Sequence, residues 1–155
     1  MKLRVVTLGG RMPDWVDAGF AEYSRRLPRD YPLELVALRA EPRDRGKPVA
    51  QLLAAEAVRL RAACAGYRIV ALDERGAAWT SRVLAERLVR WRDDALDVAF
   101  VIGSADGLDA AFKRDAADRV ALSALTLPHA LVRVILAEQI YRAVALAEGH
   151  PYHRD

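Results

Sequence analysis

Five short apolar runs, separated by stretches with helical spacing, constrain this chain more than any other feature. Leu3–Leu8 is rich in β-branched residues and ends at Gly9-Gly10, a strand followed by its turn. Leu33–Leu38, Tyr67–Asp73 and Asp97–Ile102 read as further strands, and Arg119–Leu127 as a fifth apolar segment. Met12-Pro13-Asp14 opens a helix expected to reach about Leu27, with Pro13 near its first turn. Leu52, Leu53, Ala57, Leu60 and Cys64 share helical spacing in a second helix, from Val49 to about Ala65, capped by Gly66. Thr80 or Ser81 caps a third helix, GSADGLDAAF leads into a fourth, and Pro128 opens a last one running to about Glu148. Alternation of this kind predicts an α/β fold, a mostly parallel sheet with helices on both faces. Ligands of such sheets sit beyond the carboxyl ends of the strands. Here those ends are Leu72-Asp73, Ile102-Gly103 and the 122–128 segment.

The 155 residues are one domain's worth, expected to span 1–155. A chain of this size buries enough surface to need neither disulfide nor metal. With 53% hydrophobic and 29% charged residues and no low-complexity run, disordered and fibrous classes are excluded. The single Cys64 excludes an internal disulfide and a Cys-rich metal site. His129, His150 and His153 lack partners at zinc spacing, so no metal is expected. No apolar run reaches the length of a membrane span, and the first residues are too short for a secretion signal, so the expectation is a soluble cytoplasmic protein without a membrane partner.

The net charge of +3 is too weak to announce nucleic acid by itself. The basic residues are nearly all arginine, which suits phosphate contacts, although compositional bias gives the same pattern. Residues 39–47 (RAEPRDRGK) are polar, with Pro and Gly, and read as a mobile loop. No glycine-rich phosphate loop is present. Gly103-Ser104 is not a nucleophile elbow, because Ile102 stands where the first glycine belongs.

Four groups of residues remain as chemistry. Gly103 at a strand end allows a ligand close to the backbone, or is an ordinary turn. In Ala121–His129, small and hydroxylated residues alternate with leucine. Leu122, Ser123, Ala124, Leu125, Thr126, Leu127 and Pro128 suit the edge and faces of an adenine ring, while Thr126 equally suits a helix N-cap. The last helix is apolar nearly all round, so it is either buried or shared with a second subunit, and a homodimer is favoured. His129 and Arg133 place cations at its N-terminus, against the helix dipole, which points to an anionic partner. The tail His150-Pro151-Tyr152-His153-Arg154 gathers stacking, proton-transfer and phosphate-binding groups.

These segments resemble the RlmH family of small SPOUT-class methyltransferases. The resemblance spans the whole chain. It is carried by Met12-Pro-Asp-Trp15, Glu22-Tyr23, Arg68-Ile-Val, Leu72-Asp73, Val101-Ile-Gly103 and Leu122–His129, and by Leu131-Val-Arg-Val134, Ala137-Glu138, Tyr141-Arg-Ala143 and His150–Arg154. It implies a C-terminal trefoil knot whose loops bind S-adenosyl-L-methionine through Leu72, Asp73, Gly103, Ser104 and Leu122–Pro128. It also implies methylation of N3 of a pseudouridine in 23S ribosomal RNA, on the assembled ribosome. The implied assembly is a homodimer through the last helix, with His129, Arg133, Tyr152, His153 and Arg154 at the substrate. The chain departs from the family pattern at Ser104, where a second glycine is usual; if that position needs positive φ, the added Cβ weakens cofactor binding. The alternative is a non-catalytic α/β module that binds RNA or assists ribosome assembly. A small hydrolase using Ser104 and His129 is a third reading.

Overall fold

The computed structural model describes residues 1–152. Five strands, β1 (Leu3–Leu8), β2 (Leu33–Leu38), β3 (Arg68–Ala78), β4 (Val98–Ile102) and β5 (Asp118–Ala121), form one sheet in the order β2-β1-β4-β3-β5. Every pairing in it is parallel, as the alternation requires. The helices are α1 (Asp14–Ser24), α2 (Val49–Ala63), α3 (Ser81–Asp93), α4 (Ala110–Asp115) and α5 (His129–Ala147).

The two faces of the sheet carry separate cores. On one, Phe20 of α1, Leu84 and Leu88 of α3 and Leu136, Ile140 and Val144 of α5 pack on Leu3, Val5 and Phe100. On the other, Ala57 and Leu60 of α2 and Phe112 of α4 cover Val6, Leu8, Ala99 and Val101. Strands covered on both faces read as continuous apolar runs rather than alternating ones. β4, at the centre, is buried at all five positions.

Local signals explain several boundaries. Thr80 caps α3, its Oγ1 accepting from Val83 N–H at 3.2 Å. The α5 N-cap is Pro128, so Thr126 does not cap that helix. α1 ends at Ser24 rather than near Leu27, and α4 ends at Asp115.

The largest departure from expectation lies at the β3–β5 edge. β3 runs on past Asp73 to Ala78, and its pairing with β5 shifts register between Leu72 and Ala77. β5 stops at Ala121 instead of continuing to Leu127. Ser123 Oγ accepts from Leu125 N–H at 2.9 Å, a local bond that replaces ladder pairing there. Gly76 sits where the strands come closest: a Cβ on it would lie 2.5 Å from Val120 N.

Gly76→Ala is therefore expected to destabilise the fold by about 1–3 kcal/mol through overpacking, read as a lowered urea midpoint. Cys64 caps α2 and is buried, and burial pushes its thiol up to about 11. A thiol held protonated in this way should resist alkylation at pH 8 until the chain is unfolded, as followed by mass spectrometry.

Candidate active site

The carboxyl ends of β3 and β4 open onto a cavity of about 750 Å³. Three stretches wall it: Leu72–Arg75 at the β3 irregularity, Ile102–Leu108 after β4, and Leu122–Leu127 after β5. Lys113, His129 and Val132 complete the lining. The structure thus brings Leu72, Asp73, Gly103, Ser104, Leu122, Ser123, Ala124, Leu125, Thr126, Leu127 and His129 to one cavity, with Pro128 at its edge as the α5 cap.

Each wall has its own cause. The Asp73 side chain is nearly buried, with Lys113 Nζ at 3.5 Å and Arg119 Nη1 at 3.9 Å, and its Oδ1 accepts from Arg75 N–H. Gly103 is required by a close approach of the chain's own backbone, since a Cβ there would meet Gly107 O at 2.5 Å. The Ser104–Gly107 turn folds back over it, closed by Gly107 N–H to Ser104 O at 2.9 Å. Gly107 supplies the left-handed residue of that turn, at φ +84°. Ser104 is not in the left-handed region, where Ala95 is the one non-glycine residue among those described, so its Cβ is accommodated. The hydroxyl also has fixed partners: it donates to Glu56 Oε2 at 3.1 Å and accepts from Arg43 Nη2 at 2.7 Å. His129 bonds elsewhere, so the Ser104–His129 pairing of a hydrolase is not formed.

The third wall is irregular chain. Among the described residues, the bond found for the peptide groups of Ala124–Leu127 is Leu125 N–H to Ser123 Oγ. The remaining amides and carbonyls are free to meet a ligand. Leu122 and Leu127 are half-buried and form apolar surfaces, whereas Leu125 is 77% exposed and turns to solvent.

At the start of α5, Arg133 is 2% exposed, and no hydrogen-bond partner is found for its Nε among the described residues. Burial pushes its guanidinium below its usual value, partly offset by the charge of Asp17. Arg133 Nη2 stands 3.5 Å from His129 Nε2, and Thr7 Oγ1 stands 2.9 Å from the same nitrogen. Burial, reinforced by the Arg133 charge, lowers the His129 pKa, and the ring is neutral at pH 7.

Tyr152 lies on a different surface. Its ring packs edge-on to Tyr141 at 4.6 Å, and its hydroxyl donates to Glu138 Oε1 at 3.2 Å. Arg142 grips that carboxylate through Nε at 2.9 Å and Nη2 at 2.7 Å. Burial and Glu138 raise the Tyr152 pKa, which keeps it a neutral phenol. His153 and Arg154 lie outside the described residues.

A parallel α/β sheet with a cleft at its carboxyl edge, walled by a glycine-ended strand and an unladdered leucine-rich loop, is the framework of a nucleoside-binding transferase. The chain belongs to the SPOUT methyltransferase family: the family described as "Predicted SPOUT methyltransferase" matches residues 1–153. Among curated proteins it is 53% identical over 156 residues to "Ribosomal RNA large subunit methyltransferase H" of Nitrosospira multiformis, covering 99% of each chain. The protein of that name from Verminephrobacter eiseniae is 52% identical, with full coverage of both. A solved "probable methyltransferase" of Bordetella pertussis shares the fold, with a TM-score of 0.61 at 21% identity over 92% of this chain and 95% of that one.

S-adenosyl-L-methionine is the cofactor of this family, and the cleft fits it. Leu72, Leu122 and Leu127 offer apolar faces for an adenine ring, Ala124–Leu127 offer peptide groups for its edge, and Asp73 offers an acceptor for hydroxyls. Among the described residues no cluster of three or more His, Cys, Asp or Glu could hold a metal.

Sequence reasoning missed Thr7, Arg43, Glu56 and Lys113. Glu56 had a readable signal: it stands midway between Leu52 and Leu60, four residues from each, on the face α2 buries. Thr7 is the polar residue of an otherwise apolar strand end and is fully buried.

His129 generates a pH test. Its folded pKa lies below the ordinary 6.5, so the unfolded chain binds the proton first as pH falls. Stability should drop as pH falls from 6.5 towards the lowered folded value. In His129→Asn, urea midpoints at pH 7.5 and 5.5 should lie closer together than in the parent.

Proposed function

We propose that this chain transfers the methyl group of S-adenosyl-L-methionine to N3 of a pseudouridine in 23S ribosomal RNA, acting on the assembled ribosome. The observation that carries the reading is the open cleft between Gly103 and Leu127, supported by full-length identity to proteins named for large-subunit ribosomal RNA methylation. The same reading takes residues 1–155 as one SPOUT-like domain with a C-terminal trefoil knot, located in the cytoplasm.

The cofactor supplies a sulfonium-bound methyl group that leaves a neutral thioether. The chain's own task is to orient and to manage charge. Leu72, Leu122–Leu127 and the Gly103–Gly107 turn hold the adenosyl moiety. Holding two reactants in line is worth several kcal/mol, up to roughly 7–11. The imide N–H of the base must lose its proton before it can attack. His129 is neutral, but its Nε2 is already paired with Thr7 Oγ1 at 2.9 Å. It therefore positions, and in this reading His153 takes the proton. The buried Arg133 guanidinium, without a carboxylate in hydrogen-bond reach among the described residues, supplies positive charge for the imide anion. Tyr152 packs on Tyr141 away from this chain's own cleft, so this reading takes the site as composed from both subunits of the dimer, with Tyr152 and Arg154 of one serving the cleft of the other by stacking and by charge.

The catalytic unit in this reading is a homodimer through α5. One side of α5 is buried in its own core, while Leu131 is exposed and Ile135, four residues on, is half-buried. An apolar strip left this way on a long helix suits a second copy. Leu131→Glu is expected to shift sedimentation toward the monomer and to lower methyl transfer at equal chain concentration.

The deciding experiment is transfer of labelled methyl from S-adenosyl-L-methionine to ribosomes of a strain lacking the modification. Incorporation into 23S RNA is expected, mapping to pseudouridine N3 by mass spectrometry, and naked 23S RNA is expected to be methylated at least tenfold more slowly. Equal rates on both substrates would refute the assembled-ribosome requirement, and no incorporation would refute the activity.

A further inference from the structure

The segment between β2 and α2 is anchored at one point and charged elsewhere. Arg39, Arg45 and Lys47 are exposed, and no ion pair is found for them among the described residues. Asp44 is the exposed acid among them, while Glu41 is occupied by Arg59, Nη2 to Oε1 at 2.8 Å.

Arg43 behaves differently from its neighbours. Its Nε donates to Asp106 Oδ2 at 2.9 Å, its Nη1 to Glu56 Oε1 at 2.6 Å and Glu41 O at 2.8 Å, and its Nη2 to Ser104 Oγ at 2.7 Å. All three guanidinium nitrogens are spent inside the molecule. Glu56 is 1% exposed. Its carboxylate also accepts from Glu41 N–H at 2.9 Å and from Ser104 Oγ at 3.1 Å. Burial alone would raise this carboxyl, but the bonds from Arg43, Glu41 and Ser104 outweigh it and hold it below its ordinary value. A buried ion pair is weak evidence for stability, and its best use is to fix one geometry. Here the geometry fixed is that of residues 39–47 against Ser104 and Asp106, which wall the cofactor cleft. A loop that met only water would need no such anchor.

We infer that residues 39–47 are a phosphate-contacting arm, in which Arg39, Arg45 and Lys47 meet the sugar–phosphate backbone of the substrate RNA while the Arg43–Glu56 pair ties the arm to the cofactor cleft. The inference rests on the ribosomal RNA reading above and adds to it the surface that touches RNA and its coupling to the cofactor. The arm stands at the carboxyl end of β2, on the same end of the sheet as the cleft. Its cations present their charge without a competing partner. Arg43, by contrast, is a positioning residue: it acts on the cleft through Ser104 and Asp106.

The test uses the full chain and large ribosomal subunits lacking the modification. Arg39→Gln/Arg45→Gln/Lys47→Gln should raise KM for subunits at least tenfold near physiological salt, with kcat at saturation and the calorimetric Kd for S-adenosyl-L-methionine within twofold of the parent. The plot of log affinity against log salt should flatten by about 2–3, since each lost single-strand or duplex phosphate contact removes about 0.7–0.9. Arg43→Lys keeps the charge but cannot span three partners, and should raise both the Kd for the cofactor and KM for subunits. A lowered melting temperature with neither constant changed would reduce Arg43 to a structural role and overturn the coupling. A triple variant with the parent's KM and salt slope would overturn the arm. If the parent transfers no methyl, filter binding of subunits by parent and triple variant decides the arm separately: an unchanged salt slope, or no binding by the parent, overturns it.

Discussion

The close approach of β5 to β3 over Gly76 governs the geometry of everything at the carboxyl edge. With no side chain at Gly76, the backbone of Arg119 and Val120 comes in against β3. The ladder then slips between Leu72 and Ala77, and four residues of β3 are left outside the pairing. β5 ends after Ala121. The chain that follows reaches α5 as free backbone instead of as strand, and its unladdered amides and carbonyls line the cleft. A regular five-stranded edge would have consumed those groups in hydrogen bonds and closed the site.

A second constraint acts from the other wall. Gly103 lets the Ser104–Gly107 turn lie on the end of β4, and the side chain of Ser104 then reaches the buried Glu56. Two glycines thus shape the cleft, Gly103 in its wall and Gly76 beside it, for the same physical reason: at both, a backbone occupies the space a Cβ would need. Both are absences of atoms, and both are set by chain far away in sequence.

That non-locality marks what was legible in the residues alone. β1 and β4 follow from short apolar runs, because burial on both faces leaves no other pattern, and β2 follows from its apolar run although it is an edge strand with Glu34 and Ala37 exposed. The parallel pairing follows from the helices between them. The 122–128 segment is readable as a ligand wall from its hydroxyls and leucines, and it lines the cleft. Its length as a strand was not readable, since Arg119–Leu127 has no Gly, Pro or charge after Arg119 to mark an end at Ala121, and the register slip that shortens it originates in β3. The residues beneath His129 were equally hidden: Thr7 is 122 positions away, and its hydroxyl gains meaning only once β1 lies under α5. Residues 39–47 have the composition of a free loop, yet one arginine in them finds a buried carboxylate on a helix. Only Glu56, charged on an apolar helix face, foreshadowed that contact.

The Ser104–Glu56 bond also limits the routes by which this chain can diverge. The resemblance to small SPOUT methyltransferases implies glycine where this chain has Ser104. With a glutamate already buried at 56, glycine would strip one donor from a carboxylate that is only 1% exposed. Conversely, an apolar residue at 56 would take from Arg43 Nη1 its carboxylate and from the serine hydroxyl its acceptor. Neither single step is neutral, so positions 56 and 104 are expected to change as a pair along a lineage, with Arg43 held for as long as the pair is kept.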